Sequence, residues 1–109
     1  MQSTTEYLTL VRKAILLVAN ERDINSVSNL QCLYNSFFSE DHYEQIAANI
    51  SDGDLDNLKD LQWPELRESN EYLELYTFCD QVNKEHLAVV YKSDQLWQQP
   101  QAMMIFDLE

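Results

Sequence analysis

Tyr72-Leu73-Glu74-Leu75-Tyr76-Thr77-Phe78-Cys79 decides the fold class. Side chains alternate across an extended strand, so one face of this stretch carries Leu73, Leu75, Thr77 and Cys79. The other carries Tyr72, Glu74, Tyr76 and Phe78, aromatic with a single carboxylate. Period 2 predicts a strand. Downstream, residues 80–85 are polar and turn-like, residues 86–91 form a second β-rich run, and residues 102–108 a third, after a loop holding Trp97 and Pro100. Short connections between three strands predict an antiparallel meander.

Upstream of Asn70 the period is 3.6. Leu8, Val11, Ile15 and Val18 recur three and four apart, and Leu10, Ala14 and Leu17 widen that stripe. Ser3-Thr4-Thr5-Glu6 fits a capping box, in which the serine and glutamate side chains satisfy each other's free backbone amides. These features predict a helix running to about Asn20 and packed on two neighbours. A second helix is expected over residues 27–38, with Val27, Leu30, Leu33, Tyr34, Phe37 and Phe38 on one side. Ser39 caps a third, with Tyr43, Ile46, Ala47 and Ile50 at helical spacing and Glu40, Asp41 and Glu44 near its positive end. A weaker fourth carries Leu55, Leu58 and Leu61 and is ended by Pro64. The expected architecture is α+β in one domain, residues 1–109: about four N-terminal helices packed on one face of a three-stranded antiparallel C-terminal sheet.

Composition excludes whole classes of function. With 109 residues and 45% hydrophobic side chains the chain can bury a core, and its formal net charge is −12. Gly53 is its one glycine, which removes the Gly-rich phosphate loops. Such an acidic chain repels nucleic acid and anionic membranes. The apolar run at residues 14–19 is too short for a signal-peptide core or a membrane span. Cys32 and Cys79 stand 47 positions apart, outside any zinc or redox spacing, and reduced thiols in a cytoplasmic protein are expected.

Candidate chemistry is sparse. Asp52-Gly53-Asp54-Leu55-Asp56-Asn57 starts like a calcium loop, but the positions that need glycine and a bidentate glutamate hold Asn57 and Trp63. The stretch reads instead as a helix N-terminus with capping aspartates. His42 and His86 form no paired spacing; they read as an exposed first-turn residue and a strand-edge residue. Cys32 and Cys79 read as core thiols. No catalytic residue, metal site or cofactor is expected.

Charge is the strongest signal. Residues 1–39 are net zero, residues 40–74 are net −9, and residues 75–109 are net −3. Within the acidic third lie Trp63 and Tyr72, with Tyr76 on the same strand face as Glu74, and aromatic anchors among carboxylates suit a surface that holds a basic protein. Trp63 reads equally as a core residue under the sheet. The expected partner-binding set is Asp52, Asp54, Asp56, Asp60, Trp63, Glu65, Glu68, Glu71, Tyr72, Glu74 and Tyr76.

In size, acidity, α+β organisation and lack of a catalytic signature, the chain resembles the immunity proteins of bacterial toxin–immunity pairs, notably those of contact-dependent growth inhibition systems. The resemblance implies a cytoplasmic monomer that binds one cognate basic toxin, nuclease-like, and blocks its active site or its access to substrate. A nuclease must be cationic to hold a polyanion, so a small acidic plug complements it. Two other readings stand beside this one. An acidic adaptor or regulatory subunit, a DNA-mimic inhibitor included, would use the same surface on another basic protein; a mimic should space its carboxylates along a phosphate backbone, and the uneven spacing here does not show that. A small hydrolase would need residues brought together only by the fold.

Overall fold

The computed structural model describes residues 4–37, 39–51, 54, 58, 72–92 and 100–108. Helix α1 (Thr4–Ala19) buries Val11, Ala14, Ile15 and Ala19, the three-and-four spacing expected of one helix face. The stripe is narrower than the sequence predicts, because Leu17 is 75% exposed. A 3-10 turn (Asn20–Arg22) follows, and Asp23 stops it in the left-handed region at φ 61°, ψ 24°. Aspartate tolerates that conformation better than most residues do. The proposed Ser3 capping box lies outside the described residues.

The chain then departs from expectation. Residues 28–37, predicted as part of a helix, form strand β1 (Ser28–Phe37). It pairs antiparallel with β2 (Tyr72–Cys79), and the register is interrupted between Ser28 and Gln31 and again between Cys32 and Tyr34. Each irregularity inserts an extra residue on β1. Val27, Leu30, Leu33, Tyr34 and Phe37 fall three and four apart and imitate one helix face, yet Val27 and Leu30 pack with the α1 core, Tyr34 packs with the α2 core, and Leu33 is exposed. Between these strands lies α2 (Glu40–Asn49), at the expected position. The fourth expected helix lies outside the described residues except for Leu58, which is fully buried.

Strands β2, β3 (Glu85–Lys92) and β4 (Gln101–Asp107) form the expected meander, and the sheet order is β1-β2-β3-β4, antiparallel throughout. Among the described residues there are two α-helices and a four-stranded sheet, not about four helices and three strands. The α+β class stands; the architecture differs.

A second correction concerns the layers. Val11, Ile15 and Ala19 of α1 share a core with Tyr76, Phe78, Ala88 and Val90 on one sheet face. Ile46 and Ile50 share a separate core with Leu73, Leu75, Leu87, Val89 and Phe106 on the other. Both sheet faces are covered, which is why β2 is buried on both sides of its alternation. Full burial of residues such as Ile15 and Ile46 contributes about 1.5–3 kcal/mol each. The helices lie on opposite faces, not on one.

Candidate functional site

The two histidines are the natural first candidates for chemistry, and both are buried. His42, expected at the surface, is fully buried in the first turn of α2. The backbone N–H of Ser39 donates to its Nδ1 at 3.2 Å, so Nε2 carries the proton and donates to the carbonyl of Leu73 at 3.1 Å. Tyr34 meets the ring edge-on, with centroids 4.9 Å apart. Burial lowers the pKa of this imidazole below its ordinary value, against the opposing pull of its two backbone partners and of Asp41. His42 caps a helix and ties it to β2; neither nitrogen is open to a substrate.

His86, expected at a strand edge, stands in a charged network at one end of the sheet. Its Nδ1 faces Asp107 Oδ1 and its Nε2 faces Asp80 Oδ2, each at 2.9 Å, and its ring stacks on Phe78. Asp80 also accepts the backbone N–H groups of Val82 and Lys84 at 2.9 Å, closing the β2–β3 turn. The hydrogen bond from His86 first, and those two amides after it, hold the Asp80 carboxyl below the usual carboxylate range. Asp107 gathers four other elements. Arg22 and Lys84 reach its carboxylate at 3.4 Å, His86 pairs with it across the strands, and its backbone N–H donates to Asp54 Oδ2 at 2.5 Å. A base needs a free lone pair in reach of substrate, and both nitrogens of His86 are engaged by carboxylates. The network is built to hold strands together.

A third cluster sits under α1. Glu74 is only 7% exposed, and its two oxygens accept the phenols of Tyr7 and Tyr76, the latter at 3.1 Å. Among the described residues no Lys or Arg pairs with it. Burial chiefly, and the Glu74 charge with it, raise both phenols far above their ordinary range. Phenol donors take the place of water on a carboxylate that the sheet has buried.

These placements revise the predicted partner-binding set. Glu74 and Tyr76 face the α1 core, and Asp54 is 8% exposed with its carboxylate committed to the Asp107 amide, so none of the three offers a side chain to a partner. Tyr72 is half-buried and donates to Asn35 Oδ1 at 2.8 Å. Asp52, Asp56, Asp60, Trp63, Glu65, Glu68 and Glu71 lie outside the described residues. No cluster of metal-ligand side chains occurs among the described residues. Cys79 is buried, and Cys32, expected in a core, is exposed on β1.

The described surface still carries a pattern. On α2, Asp41, Glu44, Gln45 and Ala48 are exposed, Tyr43 is 39% exposed, and the helix has no Lys or Arg. On the opposite layer, Arg12, Lys13 and Arg22 are exposed beside Glu6, Glu21 and Asp23. The sheet therefore separates a balanced α1 layer from an α2 layer whose described charges are all acidic. Sequence reasoning found the acidic segment but placed both helices together and so missed this polarity. A scan against protein-family models finds no match, and searches of curated proteins and of solved structures find none. Among the described residues no helix is long and apolar enough to cross a membrane.

Proposed function

We propose that this protein is an immunity-type inhibitor that works in the cytoplasm, binding a cognate basic toxin, nuclease-like, in a 1:1 complex through its α2 side. The observation that carries this reading is the separation of charge by the sheet. An acidic layer with no Lys or Arg among its described residues draws a cationic active site toward one face, and the balanced α1 layer does not compete for it. Asp41 and Glu44 supply pairing with Lys or Arg, and Tyr43 supplies an apolar contact among them. The residues that follow α2 in sequence are predominantly acidic as well. The saturation of both histidines supports an inhibitor without turnover of its own over a hydrolase.

The test uses the partner that co-purifies with the protein. Asp41→Lys with Glu44→Lys should slow association at least about tenfold at low salt and flatten its salt dependence. Arg12→Glu with Lys13→Glu, on the other layer, should leave association unchanged or slightly faster. Equal effects from both pairs would remove α2 as the binding side. A partner without a basic surface would remove the reading altogether.

A further inference from the structure

The two edges of the sheet are treated differently. At β4 the outward backbone groups near the C-terminal end are occupied: Arg22 donates to the carbonyl of Ile105 at 2.5 Å, Ser51 N–H to the carbonyl of Asp107 at 2.9 Å, and Asp54 accepts the Asp107 amide. Ile50 adds a bridge to Leu108. At β1, Gln31, Cys32 and Leu33 are exposed, and among the described residues the hydrogen bonds that reach them come from β2 and, at the Cys32 sulfur, from Asn35 of β1 itself. Leu33 is 40% exposed and has no Cα partner on β2. Edges are ordinarily guarded by lysine, proline, inward charge or β-bulges, and of these β1 has only its two register irregularities. The ten residues of β1 contain no charged residue and no proline, in a chain of net charge −12.

We propose that β1 is a self-association edge, on which two copies pair β1 to β1, antiparallel about a two-fold axis, joining two four-stranded sheets into one. Charge selects the occupant. A basic partner finds no charge pairing along an uncharged edge, whereas a second copy presents the same uncharged strand and meets no like charge along it. A two-fold interface is self-complementary, so the antiparallel sense follows from the symmetry. The two irregularities on β1 keep the added ladder short, so the dimer is weak and depends on concentration. Elsewhere the copies repel, and screening by salt removes that repulsion over a Debye length of about 8 Å at physiological ionic strength. Self-association therefore strengthens with salt, the opposite of what binding to a basic partner does, and it stands or falls independently of the proposed toxin partner.

Sedimentation equilibrium on the purified chain, with sodium chloride raised from 20 mM to 500 mM, tests this together with hydrogen exchange read by mass spectrometry at low and high protein concentration. The dimer fraction is expected to rise with both protein and salt. Amides of residues 28–37 should exchange more slowly at high concentration while those of β4 are unchanged. Leu33→Lys, at an exposed position, should weaken the dimer at least about tenfold by the edge-guarding action of lysine, with the circular dichroism spectrum unaltered. A monomer at every concentration up to about 1 mM overturns the proposal. So does concentration-dependent protection confined to any element other than β1, a readout that needs no variant.

Discussion

His86 and Asp107 stand directly opposite one another on neighbouring strands, Nδ1 to Oδ1 at 2.9 Å, with Asp80 at the same distance from the other ring nitrogen. The imidazole thus separates two carboxylates that would otherwise face each other at the end of the sheet. His86→Ala removes the separator and opens a void above Phe78. It should cost about 3 kcal/mol or more in urea unfolding at pH 7. The folded Asp80 carboxyl has a lowered pKa, so its contribution is present above the ordinary value of 3.8 and is lost as pH falls below it. In His86→Ala the additional loss between pH 4 and pH 3 should therefore be smaller than in the wild type.

Glu74 gives a prediction of opposite character. Its buried charge has two phenol donors and no paired cation among the described residues, so Glu74→Gln should change stability by less than about 1 kcal/mol. Glu74→Ala removes the carboxylate to which both phenols donate and should cost about 2–4 kcal/mol. A large loss on Glu74→Gln, measured by the same unfolding curve, would show that the charge itself is needed.

The same cluster has an alkaline signature. Tyr7 and Tyr76 have raised pKa values in the folded state, so their contribution is intact below the ordinary value of 10.0 and is lost as pH rises above it. Ultraviolet titration of the six tyrosines should show at most four ionising before the fold is lost, and the remainder appearing with unfolding. Tyr7→Phe should reduce the number that wait for unfolding.

His42 acts on the acid side. Its folded pKa is lowered, so the unfolded chain takes up a proton first as pH falls through 6.5, and stability declines from there. Unfolding free energies measured from pH 7.5 to pH 5 should slope downward in the wild type. The slope should be shallower in His42→Gln, even though that variant is less stable at pH 7.5 through loss of the Ser39 cap.

Thiol accessibility separates the two cysteines. Cys32 is exposed and Cys79 buried, so a disulfide reagent should modify one thiol rapidly in the native protein and the second only on unfolding. Rapid modification of both would contradict the burial of Cys79 at the end of β2.

Local pattern was sufficient for much of this fold. The period-2 run at residues 72–79, the two β-rich runs after it, and the stripes of α1 and α2 each record neighbours a few residues away, and local periodicity is visible in any single sequence. So is the accumulation of acid after residue 39, which no structure was needed to find. What only the tertiary structure decided depends on partners distant in the chain. Residues 28–37 are a strand because β2 pairs with them from 35 to 51 positions away, and their apolar spacing, helical in the sequence, is divided between the two faces of the sheet. Glu74 and Tyr76, which read as a binding surface, are interior because α1 lies over that face of β2, bringing Tyr7 to Glu74 across 67 residues. Asp54 reads as one of many surface acids until the amide of Asp107 is placed beside it. Alternation assigns a side chain to one face of a strand or the other, but which face meets a helix, and which helix, is fixed by packing between elements that carry no mark of each other in sequence.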